Sequence, residues 1–187
     1  AQRAKTCAGC VDNNVCPERG LMPPGVMADW SNYAYYYCLS GYYYAGLKSA
    51  AEALREIEYP GAEALLVEAS GFRDDILRAY AWTQSQMPVM GLRDGTFVPG
   101  YPTQVHCPGP IGGFFPGQDA NRSWCYDVEL GAHHLVPLGV LDATRADVAS
   151  MMEHMEDVHF LADGWFDYPA TESQRDPYNL GGFSKVQ

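Results

Sequence analysis

Positive charge is scarce in this chain. Lysine and arginine total 12 against 23 aspartates and glutamates, a net charge of -11. Nucleic-acid binding rests on neutralising phosphates with basic side chains, so the balance argues against a nucleic-acid partner and equally against an anionic membrane surface. Long apolar runs are missing as well. No stretch approaches the roughly 18 apolar residues of a membrane span, and a water-soluble chain is expected. Several motif-bound chemistries are also absent: there is no Gly-x-Ser-x-Gly elbow, no phosphate-binding loop and no Gly-x-Gly-x-x-Gly fingerprint. His154 and His159 stand five apart and do not make the zinc pair of a His-Glu-x-x-His helix. His133 and His134 are adjacent, so on an α-helix they point about 100° apart and suit one metal poorly. No cofactor and no resident metal is expected.

What the chain does contain is enough apolar material for one globular unit, at 187 residues and 47% apolar. Six cysteines, Cys7, Cys10, Cys16, Cys38, Cys107 and Cys125, are irregularly spaced and mostly in loop-like settings. That pattern suits disulfides in an oxidising compartment. Zinc on Cys7, Cys10 and Cys16 is the alternative, with Cys38 or His106 as a distant fourth ligand, but this spacing matches no usual zinc module. Asn121-Arg122-Ser123 is a glycosylation sequon in a Gly/Pro-rich setting. The start AQRAK, without an initiating Met or a signal-like stretch, is expected of a processed form. Together these features place the protein outside the cell or in a periplasm.

Residues 1–29 read as a Cys-rich extended lead-in, and residues 30–187 as the helical body. Asp29 or Ser31 is positioned to cap a first helix running to about Ile57 and stopping near Tyr59-Pro60-Gly61. A second, amphipathic helix is expected from Ala62 to Gln84, with apolar positions at Ala64, Leu65, Ala69, Phe72, Ile76 and Ala79. Asp74 and Arg78 are four apart on its wet face. The two helices form an antiparallel hairpin. A Gly/Pro-rich loop follows over 86–123, with short strands around "DGTFVP". A third helix is expected from Trp124 to Val136, where Pro137 ends or kinks it, and a fourth from Thr144 to Leu161, capped by Asp142 or Thr144. The fold class is all-α, built of helical hairpins.

The first helix is crowded with phenols. Helical spacing groups Tyr33, Tyr36, Tyr37, Ser40, Tyr43 and Tyr44 on one stripe, and Ala34, Cys38, Gly41, Ala45 and Leu47 on the other. Gly41 and Gly46 would let a neighbouring helix approach. Each buried phenol needs a hydrogen-bond partner, so the stripe is either a semi-polar core or the wall of a wet aromatic cavity. Aromatic rings with carboxylates suit sugars, which present apolar C–H faces and many hydroxyls.

Sugar hydrolysis without a cofactor uses two carboxyl groups, one protonated and one not. The candidates are Asp29 beside Trp30, Asp94 in an Asp-Gly turn, Asp119 in the long loop, and Asp127 and Glu129 at the start of the third helix beside Trp124 and Tyr126. Each also has a plainer role: helix cap, turn, or dipole partner. His133 lies four residues after Glu129 and could orient it. Trp30, Tyr36, Tyr37, Tyr44, Trp124 and His133 are the candidate substrate contacts. Glu153, Glu156 and Asp157 read as a solvated helix face.

Several segments together look familiar: "GLMPPGVMADW", "GLKSAAEALREI", "YPGAEALLVEASGFRDDILRAY", "RDGTFVPGYP", "DVELGAHHL" and "DGWFDYPATESQRDPYNLGGFSKVQ". In this order they resemble the catalytic (α/α)6 toroids of the six-hairpin glycosidases, from about Gly20 onward. The resemblance implies a cleft where loops enter the inner helices, with Asp29-Trp30, the 86–123 loop and the Asp127/Glu129 helix start around it. It implies a carbohydrate substrate and an inner position for the tyrosine helix. Four helices fall well short of a full toroid, so the resemblance also implies a longer parent chain, or further copies, completing the ring.

The expected activity is glycoside hydrolysis by single displacement, with Asp29 and Glu129 as the leading pair and carboxyl groups about 6.5–9.5 Å apart. A polysaccharide lyase is the second reading, with Tyr36, Tyr37 or His133 abstracting a proton, although the chain has few basic residues to spare for an anionic polymer. A non-catalytic glycan-binding or structural extracellular protein is the third. Convergence of two carboxylates in one aromatic cleft separates the first from the last.

Overall fold

The computed structural model describes residues 16–26, 33–92, 94–106 and 131–160. They are mostly helical. Helix α1 spans Tyr37–Glu56 and α2 spans Ala62–Ser85. Strands β1 (Val89–Gly91) and β2 (Phe97–Pro99) form an antiparallel hairpin, a 3-10 turn covers Ala132–Leu135, and helix α3 (Ala146–His154) continues as a π-helical stretch over Met155–Phe160.

Helix α1 starts later than Asp29 or Ser31 would have it. Residues 34–36 are extended instead, bridged to Gly25 and to Gln104. The Tyr37 amide donates to the Thr103 carbonyl at 3.1 Å and the Val105 amide to Tyr35 at 3.1 Å. Those strand-like bonds satisfy the first helical N–H without any side-chain cap, so tertiary pairing overrides local helix propensity. The far end of α1 closes as a Schellman motif. Tyr59 N–H returns to the Leu54 carbonyl, Glu58 N–H returns to Arg55, and Glu58 itself sits at φ 56°. This tight end turns the chain directly into α2 and makes the expected helical hairpin.

The core lies along the α1–α2 seam and under α3. Ala69, Phe72, Ile76 and Ala79 form the expected stripe on α2, joined by Ala62, Tyr80 and Thr83, whereas Ala64 is exposed. On α1 the buried face is Tyr37, Cys38, Ser40, Gly41, Tyr44 and Ala51. Cys38 and Gly41 therefore share the interior with Tyr37 and Tyr44, and Tyr43 does not. A Cβ on Gly41 would lie 2.7 Å from Leu135 Cδ2 and 3.0 Å from Leu138 Cδ1. The absent side chain is what lets the 3-10 turn approach α1. At Gly46 a Cβ would meet nothing within 4 Å, so no close approach is made there.

The lead-in is seated on α2. Arg78 bonds both the Asp75 carboxylate and the Arg19 carbonyl, so its partner is Asp75 rather than Asp74. Three positions bring two side chains onto one helix face as readily as four. Gly20, at φ +88°, lies directly over Asp75, where any Cβ would overlap the carboxylate. His106 Nε2 pairs with Glu18 Oε2 at 3.2 Å and stacks edgewise on Trp82.

Val98 opposite Met90 turns inward in the β1–β2 hairpin, while Val89 and Phe97 are exposed. Past the 3-10 turn the chain bends through Gly139 at φ +72°. Asp142 accepts bonds from the Thr144 amide and hydroxyl, capping a turn just ahead of α3 rather than the helix itself, whose N-cap is Arg145. The expected third helix is a 3-10 turn over its last described residues, and residues 107–130 lie outside the description. Glu153 and Glu156 face water.

Candidate functional site

A cleft of about 380 Å³ opens on the α1–α2 pair. Tyr42, Tyr43, Gly46 and Leu47 of α1 line it, with Glu68 and Phe72 of α2 and Met22 of the lead-in. By helical spacing the four α1 residues share one side of the helix, away from Tyr37 and Tyr44. Phe72 and Glu68 are four apart on α2 and so lie on one face. Tyr42 and Tyr43 are 43% and 49% exposed, which leaves ring surface available for contact. The wall is thus aromatic and apolar, with one carboxylate and no basic side chain among the described residues that line it.

Tyr42 also reaches out of the cleft. Its hydroxyl and His134 Nδ1 share a hydrogen bond at 3.3 Å. The His133 and His134 rings lie against each other with centroids 4.2 Å apart and planes tilted by 37°. Adjacent residues of a 3-10 turn diverge by about 120°, more than on an α-helix, so it is the side-chain conformations and not the backbone that bring the two rings together. Burial, and then the proximity of His134, lower the His133 pKa to about 4, so His133 is neutral near neutral pH. Its Nδ1 is buried without a hydrogen-bond partner. No cluster of three or more metal-ligating side chains occurs among the described residues.

The interior tyrosines do different work. Tyr37 is fully buried, and its hydroxyl lies 2.8 Å from the Ala79 carbonyl, to which it donates, and 2.6 Å from Thr83 Oγ1. Burial raises its pKa far above the ordinary phenol value. Tyr37 and Tyr80 pack edge to face, and Tyr36 and Tyr44 are buried as well. Tyr36, Tyr37 and Tyr44, expected as substrate contacts, are interior residues. The Asp94 carboxylate is occupied by the Thr96 amide and hydroxyl at 2.8 and 2.6 Å, and these bonds, the hydroxyl's first, hold its pKa below the usual range. It closes the β1–β2 turn.

Asp29, Trp30, Asp119, Asn121, Trp124, Asp127 and Glu129 lie outside the described residues, as do Cys7, Cys10, Cys107 and Cys125. Cys16 is disulfide-bonded. Cys38 is a buried free thiol whose pKa burial raises to about 12. Sequence reasoning missed Tyr42, Tyr43 and Glu68 as site residues, although it placed Tyr43 on the aromatic stripe. The signal available for Tyr42 was its four-residue spacing from Gly46, which marks a shared open side of α1.

No known protein family matches the chain, and no curated protein or solved structure shows significant similarity to it. The glycosidase resemblance therefore stands on the quoted segments alone.

Proposed function

We propose that this chain acts on carbohydrate through the α1–α2 cleft, as part of a secreted helical-hairpin domain of the glycoside hydrolase type. The observation that carries the reading is the pairing of two half-exposed phenol rings, Tyr42 and Tyr43, with the Glu68 carboxylate in one cavity of about 380 Å³. That volume falls in the range of small-ligand pockets, about 300–1,000 Å³. Sugar C–H faces pack on the rings, and the carboxylate accepts from sugar hydroxyls. The hydrogen bond to His134 orients Tyr42 at the rim.

The α1–α2 pair is the kind of unit from which an (α/α)6 toroid is built, and the rest of a longer chain or further copies would complete the ring. Hydrolysis needs a second carboxyl group beside Glu68. Asp29, Asp127 and Glu129 are the proposed sources of it. The absence of Arg and Lys from the described lining disfavours elimination on uronates, which needs a cation beside the sugar carboxylate. The disulfide at Cys16 supports an extracellular or periplasmic setting.

Calorimetric titration with neutral oligosaccharides tests the reading. Saturable binding is expected, weakened at least about tenfold by Tyr43→Ala, a loss equal to about 1.4 kcal/mol. Release of reducing ends, lost in Glu68→Gln, would establish hydrolysis; binding without release would leave the non-catalytic form. No binding to any neutral or amino-substituted glycan would sink the proposal.

A further inference from the structure

We propose that the cleft selects a sugar carrying a free amine over its neutral counterpart, and that Glu68 sets this preference. The inference rests on the carbohydrate reading of the same cavity. Every formal charge on the described wall is negative, because Glu68 is its one ionisable group besides the phenols. Aromatic faces are negative at their centres, so an ammonium group over the exposed face of Tyr42 or Tyr43 gains about 0.5 kcal/mol, a factor of about two, and the carboxylate supplies the rest of the preference. Phe72, two per cent exposed, and Met22 supply an apolar floor that lowers the local dielectric. The net charge of -11 adds a long-range field of the same sign. Glu68 also has an interaction of its own. What the cleft requires is negative charge at its wall, not a vacant oxygen.

Space for the ring lies beside Gly46, where a Cβ would meet nothing within 4 Å. A larger side chain there projects into the cavity without disturbing packing. Gly46→Leu therefore blocks the cleft while leaving the protein's charge unchanged. This separates a seated amino sugar from a polycation held loosely by an acidic surface.

The test is calorimetry on the full chain with a glucosamine tetramer, its fully N-acetylated counterpart and cellotetraose, at about pH 6, below the ordinary range of an amine. The amine form is expected to bind about tenfold tighter than the other two, mostly through the wall carboxylate with about twofold from the ring beneath the amine. Glu68→Gln is expected to bring the three within about twofold, and Gly46→Leu to abolish binding of all three; the twofold band is the scatter of context-dependent contacts. Equal binding of all three by the native protein overturns the amine preference while leaving the carbohydrate reading intact. Amine binding that survives Gly46→Leu, or a preference that survives Glu68→Gln, also overturns it. Failure of all three sugars to bind removes the carbohydrate reading itself.

Discussion

Tyr37 and Tyr43 sit six residues apart on one helix and have opposite duties. Tyr37 is sealed between α1 and α2 with its hydroxyl bonded across the seam, while Tyr43 is half exposed in a cleft. Chemically identical side chains are thus sorted by phase alone, since six residues at about 100° each leave them well round the helix from one another. A run of tyrosines is not one surface. One part of this run builds the interior, and the other is offered to a ligand.

The largest expected effect comes from breaking the interior member. Tyr37→Ala should cost about 3–5 kcal/mol in urea unfolding, the usual range for deleting a buried aromatic ring. Tyr37→Phe should cost about 1 kcal/mol, because Thr83 keeps the Ala79 carbonyl within reach as a local partner. Tyr43→Ala should stay within about 0.5 kcal/mol of the native protein while losing ligand. Equal costs at Tyr37 and Tyr43 would erase the distinction between the two parts of the run.

Acid sharpens the same contrast through His133. Its folded pKa, about 4, lies below the ordinary value of 6.5, so the unfolded chain binds the proton more readily. Stability is therefore complete above about pH 6.5 and falls as pH drops toward 4, by up to about 3 kcal/mol from this group. His133→Gln should flatten that part of the profile. A native curve that is level between these limits would show the imidazole to be solvated.

The smallest effect comes from the two glycines, which should respond with opposite signs. Gly41→Ala gains about 1 kcal/mol of helix propensity but must displace Leu135 and Leu138, a strain of about 1–3 kcal/mol, for a net loss. Gly46→Ala meets nothing and should gain about 0.5–1 kcal/mol. Thermal unfolding of the pair checks the sign, and a gain at Gly41 would mean the 3-10 turn is not pressed against α1.

The helical hairpin was legible in the sequence because the 3.6-residue period of Ala69, Phe72, Ile76 and Ala79 and the Tyr59-Pro60-Gly61 break are local signals. The Asp94-Gly95 turn was legible for the same reason. The start of α1 was not, because it is decided by Thr103 and Gln104, which lie far away in sequence. The two faces of α1 were misgrouped by treating Tyr43 as a partner of Tyr37 and Gly41 as its opposite. The 100° helical step itself sets Gly41 and Tyr44 beside Tyr37 and Tyr43 about 120° away, and packing against Leu135 and Leu138 seals that side. Of the site, the aromatic character was readable, but the wall that holds Glu68 depends on how α2 docks.

The seat of the lead-in bears on how the chain finds its fold. The α1–α2 hairpin closes through a short turn, whereas Glu18–His106 joins residues 88 positions apart and Tyr42–His134 joins residues 92 apart. Closing such loops costs entropy before any contact rewards it, and a high share of distant contacts slows two-state folding. The slow search is therefore the return of the segment around residues 103–106 to the lead-in and to the extended stretch ahead of α1. Helix formation is the fast part. Mutation at Gly20, which lies directly over Asp75 of α2, should therefore register in the refolding rate of the whole domain.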